Sequence, residues 1–335
     1  MSDKTRISLK EAGDLIHAAV AATGLPDAIA GSVARALVAA EAEGQVGHGF
    51  SRLGDYVAQV RSGKIKASAQ ITISERGPAS ILVDADCGFA FPALDAAIDA
   101  LVPRAQASGI AVAAIANSHH CGALSVQVER LANAGLIGIM VANTPKAMAP
   151  WGASAALFGT NPIAFAAPQA DGPPLVIDLS LSRVARGKVM AASKAGISIP
   201  EGWALDEDGQ PTTDPKAALA GTMVPIGGAK GTALALMVEV LAASFTGSAF
   251  SHQAASFLAP EGLPPQTGQT LIAIKPDPEG DFLARMSELL ETIVAQPGAR
   301  LPGTRRRAAL AQSVAEGMDV PNHLVDLARR LADGA

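Results

Sequence analysis

The sequence predicts an α/β fold, and three observations carry the prediction. Hydrophobic residues make up 49% of the chain and charged ones only 17%, the profile of a protein that buries a large core. One-sided helical spacing repeatedly gives way to a short, continuously apolar run: residues 91–107 then 110–116, and residues 124–134 then 136–142. Such runs are too short to span a membrane and read as strands covered on both faces. Finally, 335 residues exceed what a single core serves, so one large or two closely packed domains are expected.

Taken in order, Ser8 and Glu11 form a capping box ahead of Ala12, Leu15, Ile16 and Ala19, which share one helical face. Pro26-Asp27 opens a second helix ending near Glu43, residues 44–52 break it, and residues 53–60 resume as a third. An all-helical cap is therefore expected ahead of any sheet. Residues 71–73 and 80–84 flank Gly77-Pro78 as a hairpin, and residues 163–167, 175–178 and 268–274 are further strands. Residues 202–215 are dense enough in turn formers to read as loop throughout. Residues 232–245 form an apolar helix, 282–296 an amphipathic one, and 300–307 a basic loop.

A net charge of −5 without any basic, aromatic-interleaved stripe argues against a nucleic-acid partner. The N-terminal MSDKTRISLKEAGD has no apolar stretch behind a basic start, and no window approaches twenty apolar residues, so no membrane and a cytoplasmic location are expected. Two cysteines, Cys87 and Cys121, cannot build a disulfide framework or a structural zinc site alone.

Residues 117–168 carry more polar punctuation than a plain core needs. His119 and His120 stand just ahead of a helix, whose free N–H groups and positive dipole end suit an anion. His48 lies in a glycine-flanked break with Arg52 four residues on, a spacing that places both on one side of a short helix. Arginine forks onto a carboxylate and imidazole titrates near neutrality, so the pair suits a small acid, although a histidine in such a turn can equally be an ordinary surface group. His119, His120 and Cys121 could be read as metal ligands, but adjacent residues diverge and no second cluster completes the set. Gly227-Gly228-Ala229-Lys230-Gly231 resembles a phosphate cradle without the full P-loop spacing, and Gly-x-Gly-x-x-Gly is missing. These residues alone describe an α/β enzyme acting on a small anion.

Gly-His-Gly-Phe-Ser-Arg-Leu at 47–53, Asn-Ser-His-His-Cys-Gly-Ala at 117–123 and Leu-Phe-Gly-Thr-Asn-Pro-Ile-Ala at 157–164 add a resemblance. With Asp178-Leu179-Ser180, Ala185-Arg186-Gly187-Lys188, Gly202-Trp203-Ala204 and Lys230-Gly231, they resemble, collinearly over nearly the whole chain, the malate/L-lactate dehydrogenase family. That family is distinct from the Rossmann-type lactate and malate dehydrogenases. It includes ureidoglycolate and sulfolactate dehydrogenases and the Δ1-piperideine-2-carboxylate/Δ1-pyrroline-2-carboxylate reductases. The resemblance implies NADPH or NADH in a non-Rossmann, mixed-sheet domain over residues 76–280, and a largely helical domain joining residues 1–75 to the helices of 281–335. It also implies a homodimer acting on a small carboxylate, with no metal.

Carried over by position, His48 is the proton donor, Arg52 the clamp on the substrate carboxylate, and Thr160, Arg186 and Gly187 line the substrate. Lys188 takes the catalytic position where the cyclic-imine reductases have Asp. His120, Cys121, Gly122, Ala123 and Leu124, then Asp178, Leu179 and Ser180, then Ala229 and Lys230 would hold the dinucleotide. So would Arg300, Leu301, Pro302, Gly303, Thr304, Arg305 and Arg306, the last two leaning the choice toward NADPH through a 2′-phosphate. Gly47 stands where members usually carry Ser, and Lys188 matches the hydroxy-acid dehydrogenases, whereas His119-His120 with Ala123-Leu124 points to the imine reducers. The implied reaction is hydride transfer to C2 of a 2-oxo acid or a cyclic 2-imino acid, oxygen against nitrogen being open. The alternative is a non-catalytic NAD(P)-binding dimer.

Overall fold

The protein is described by a computed structural model over residues 3–277 and 280–335. It opens with a strand, β1 (Lys4–Ile7), then α1 (Leu9–Ala21) and α2 (Asp27–Ala42). Two short 3-10 turns, Val46–His48 and Phe50–Arg52, lead into α3 (Leu53–Arg61). Both halves of the capping box are present: Glu11 N–H donates to Ser8 Oγ (3.2 Å) and Ser8 N–H to Glu11 Oε2 (3.0 Å). The expected all-helical cap needs correction. β1 has one buried residue in four and pairs antiparallel with β12 (Met318–Pro321), a partner more than three hundred residues away that no local pattern announces.

The middle of the chain builds a seven-stranded mixed sheet from β2 (Thr72–Gly77), β3 (Ser80–Asp84), β4 (Ile110–Ser118), β5 (Ile137–Ala142), β6 (Ile163–Ala167), β7 (Leu175–Leu179) and β11 (Thr267–Ile274). Their order is β2-β3-β4-β11-β5-β6-β7, with β3 and β4 parallel and every other pair antiparallel. β11 arrives late in sequence and slots between β4 and β5. Helices α4 (Ala90–Ser108) and α5 (Leu124–Asn133) pack on this sheet and close a core that includes Ile81, Leu94, Leu101, Ile115, Leu131 and Leu271.

A second core joins Ile16, Leu37, Phe50, Leu53 and Tyr56 to Val320, Val325 and Leu331, so the last helix, α11 (Asn322–Ala332), completes the packing begun by α1 to α3. A third core holds Met148, Leu181, Val189, Met223 and Val238. It lies among α6 (Arg186–Ala195), β8 (Ala204–Leu205), β9 (Pro211–Thr212), α7 (Pro215–Ala220), β10 (Thr222–Met223) and α8 (Ala229–Glu239). Residues 202–215 are thus not loop throughout, since β8 and β9 enter a small sheet with β10. Two-residue strands among turn formers leave no periodic signal. A π-helical turn, Val240–Ser244, extends α8, and α9 (Phe282–Val294) and α10 (Thr304–Glu316) follow β11. The basic stretch also needs correction: the loop ends at Gly303, and Thr304, Arg305 and Arg306 form the first turn of α10.

Candidate active site

The His48 segment takes its shape from a buried carboxylate. Glu41, near the end of α2, accepts the Phe50 N–H at 2.9 Å through Oε2. A Cβ on Gly49 would fall 2.0 Å from that oxygen, so only glycine lets the chain pass. His48 and Arg52 therefore do not share one continuous helix; they sit on successive 3-10 turns broken at Gly49. Arg52 still folds back toward His48, because its Nε donates to the Gly47 carbonyl at 2.8 Å while Nη1 lies 3.6 Å from Asp55. Open space surrounds the place of a Cβ on Gly47, so sterics do not demand glycine there.

β4 and β11 deliver the histidine pair. Gln269 on β11 donates to the His119 carbonyl at 3.2 Å, and both imidazoles are buried. His120 stacks on His48 with centroids 5.2 Å apart. Its Nδ1 lies 2.6 Å from the hydroxyl of Tyr56, one helical turn beyond Arg52 on α3. Phe257, from the stretch between α8 and β11, packs at 5.1 Å from His120 and 5.4 Å from His119. Sequence reasoning missed Tyr56, Phe257 and Glu41. Tyr56 is the sole tyrosine of the chain, a signal that was available; Phe257 has none.

Burial governs the protonation of this cluster. It pushes His48 down to about 4, with the nearby Arg52 charge adding to the effect, and His119 down to about 3, helped by Lys64. His120 is lowered well below the usual range by burial and then by Arg52. The imidazoles are neutral near pH 7, so His48 stands here as a neutral ring and not the histidinium of a simple donor. Its Nδ1 is buried with no hydrogen-bond partner. Both ring nitrogens of His119 are also unpartnered, between Tyr56 and Phe257. Burial lifts the Cys121 thiol to about 12. Among the described residues no group of three His, Cys, Asp or Glu side chains could hold a metal ion.

Three of the four segments assigned to a dinucleotide meet at the start of α5. The anion at that helix end is the chain's own: Asp178 on β7 accepts the Ser125 N–H at 2.8 Å, and burial raises its pKa. Gly122, with φ +69°, turns the buried run His120 to Leu124 into α5. A Cβ on Gly303 would stand 3.0 Å from the Val176 carbonyl, so Leu301 to Gly303 run against β7. From Asp178 the chain continues past Leu179 and Ser180 to Leu181, whose carbonyl accepts the Ile226 N–H at 2.8 Å. Ile226 leads through Gly227 and Gly228, both at positive φ, into α8, where Ala229 and Lys230 are exposed in the first turn. With Asp178 already seated at the start of α5, the N-terminus of α8, with the exposed Lys230 in its first turn, is the one left to face a phosphate.

Other expected residues fall differently. Arg306 is not free for a phosphate: Nη1 donates to Glu43 Oε1 at 2.5 Å and to Glu129 Oε2 at 2.8 Å, and its side chain is only 11% exposed. Arg300, Thr304 and Arg305 are exposed. Thr160 is half-buried, its N–H donating to Thr144 Oγ1 at 3.0 Å. Arg186 opens α6 half-buried, donating to the Leu219 carbonyl at 3.2 Å, and burial lowers its pKa. Gly187 and Lys188 are exposed on the same turn, and among the described residues no hydrogen bond joins Lys188 to the histidines.

A neutral, half-buried imidazole stacked on His120 beside a guanidinium suits dinucleotide-dependent oxidation and reduction of small acids. Comparison with known proteins narrows this class: over residues 7–327 the chain matches, and belongs to, the malate/L-lactate dehydrogenase family, and it is an NAD(P)-dependent oxidoreductase. It is 51% identical over 327 residues to the (2R)-3-sulfolactate dehydrogenase (NADP(+)) of Chromohalobacter salexigens, covering 97% of this chain and 98% of that protein. The Δ1-pyrroline-2-carboxylate/Δ1-piperideine-2-carboxylate reductase of Pseudomonas putida is 42% identical over 322 residues, covering 95% and 94%. The crystal structure of Δ1-piperideine-2-carboxylate reductase from Pseudomonas syringae pvar. tomato superposes with a TM-score of 0.93 at 38% identity, over 98% of this chain and 99% of that one. Among the described residues, no helix is long and apolar enough to cross a membrane.

Proposed function

We propose that the protein interconverts a small 2-oxo or cyclic 2-imino carboxylate and its reduced form, drawing on NADPH in preference to NADH. The observation that carries the site assignment is the buried, unpartnered Nδ1 of His48, held in a stack with His120 beside Arg52. A bound nicotinamide supplies the hydride; orientation and proton management fall to the chain's own side chains.

Arg52 grips the substrate carboxylate, turning C2 toward the nicotinamide, a positioning effect. The same contact cancels the guanidinium charge that helps to hold His48 neutral. With that cause removed, His48 takes up a proton more readily and passes it to the C2 oxygen or nitrogen as hydride arrives, with no second charge left behind. In the reverse direction the neutral ring is already the required base. Thr160, Arg186 and Gly187 line the substrate, and residues 120–124, 178–180, 229–230 and 300–305 the dinucleotide. The non-Rossmann sheet domain and the terminal helical domain meet at this site. The apolar side chains Leu236 and Met237 of α8 and Val240 of the π-helical turn that extends it are exposed, which supports a homodimer.

A panel of acids decides the matter. Reduced-nicotinamide absorbance is followed with (2R)-3-sulfolactate and NADP(+), then with pyruvate, oxaloacetate, Δ1-pyrroline-2-carboxylate and Δ1-piperideine-2-carboxylate and each reduced cofactor. Turnover of at least one acid is expected. Tight NADPH binding with no turnover across the panel would instead favour the non-catalytic NAD(P)-binding reading.

A further inference from the structure

Residues 256–261 belong to no helix or strand, yet six donor contacts fasten them to the end of α3 and the residues just beyond it. Lys64 makes half of these. Its side chain is among the largest fully buried ones in the protein, and its ammonium donates to the carbonyls of Ser256 (2.6 Å), Ala259 (2.8 Å) and Glu261 (3.2 Å). Three protons meet three acceptors. Gln59 adds donations to the Phe257 and Ala259 carbonyls at 2.8 and 3.1 Å, and the Ser62 hydroxyl reaches the Pro260 carbonyl at 2.5 Å.

Burying an ammonium is costly, and here it is offset by donating to three carbonyls of a segment whose own backbone supplies them no partners in regular structure. What the lysine does is set the path of a segment that lacks regular structure of its own, and that segment presents one ring to the site: Phe257, against His119 and His120. His120 in turn stacks on His48. A continuous series of contacts runs from the Lys64 ammonium through the backbone of residues 256–261 and Phe257 to the two imidazoles.

We propose that Lys64 is a positioning residue of the active site, fixing residues 256–261 so that Phe257 holds His120 in its stack with His48. The proposal rests on the reading of His48 as the acid and base of the reaction. Lys64→Met removes the ammonium and keeps the stem; Phe257→Leu removes the ring and leaves the anchoring contacts; Gln59→Leu is a milder second way to loosen the segment. Lys64→Met and Phe257→Leu are each expected to lower kcat about tenfold or more, since small displacements of reacting groups are that costly. KM for the acid should change less than about threefold, and the double variant should be no worse than the poorer single one, as for residues acting in series.

Nitrogen NMR of the histidine rings reads the positioning without turnover, and the His48 and His120 signals should move alike in both variants. A folded Lys64→Met protein with lowered thermal stability but wild-type kcat and ring signals would overturn the proposal. If Lys64→Met does not fold, unmoved ring signals in Gln59→Leu do the same. Absence of turnover in the wild type overturns only the assigned reaction, because the ring signals report on Lys64 separately.

Discussion

His48 and His120 lie face to face, their planes only 16° from parallel, while the Tyr56 hydroxyl sits 2.6 Å from Nδ1 of His120. Burial raises the Tyr56 pKa, so the phenol keeps its proton and is hydrogen-bonded to Nδ1 of His120 as a neutral hydroxyl. We predict that Tyr56→Phe, which removes only this hydrogen bond, costs about 1 kcal/mol of stability and lowers kcat about tenfold by freeing the ring that His48 rests on. Denaturant unfolding and steady-state kinetics check both; unchanged kcat would separate Tyr56 from the reaction.

Loss of the imidazole itself should be far more severe. His48→Ala is expected to lower kcat by about 10²–10⁴-fold, the usual loss for a general acid or base. Wild-type turnover in that variant removes His48 from the mechanism.

The neutral histidines also make stability depend on acidity. His48 is held near pKa 4 and His119 near 3, against 6.5 for a free ring. Below pH 6.5 the unfolded chain therefore binds protons that the folded one refuses. Stability is fully present above that pH and falls as the solution is acidified toward about 3. His119→Phe should flatten this decline and leave the neutral-pH melting temperature unchanged or raised, because it replaces a ring with two unpartnered buried nitrogens. An acid profile identical to wild type would contradict the prediction.

Arg306 and Arg305 should separate cleanly. Arg306→Met leaves Glu43 and Glu129 facing each other without their shared cation, at an expected cost of about 3–5 kcal/mol and without a selective loss of NADPH. Arg305→Ala, exposed on the same turn, should raise KM for NADPH about tenfold and leave NADH untouched. Paired KM measurements decide the assignment.

Leu236→Glu with Val240→Glu places charge on an apolar face and is expected to convert the proposed dimer to monomers by light scattering. A wild-type mass in the double variant moves the interface elsewhere.

What could be read beforehand follows physical range. Ser8 with Glu11 and the apolar runs at residues 110–116 and 163–167 carry their signal within one turn or one strand, and the structure has a helix and two strands there. The His48 turn was visible as a glycine break, but its cause, the Glu41 carboxylate pressed against Gly49, lies on another element. The start of α10 was hidden because arginines suit a solvated loop equally well, and only Glu43 and Glu129, from α2's end and from α5, show why Arg306 is turned inward. Lys64 meets Ala259 across 195 residues and Phe257 meets His120 from well over a hundred residues away, where no sequence pattern reaches.

The pairing of Lys4–Ile7 with Met318–Pro321, and the docking of α11 on α1 and α3, also set a timetable for synthesis. The earlier of these segments cannot finish its core until the later one, more than three hundred residues downstream, has left the ribosome. During that interval Ile16, Leu37 and Leu53 lack the cover that Val325 and Leu331 provide, and nascent chains in this state are natural clients for chaperones.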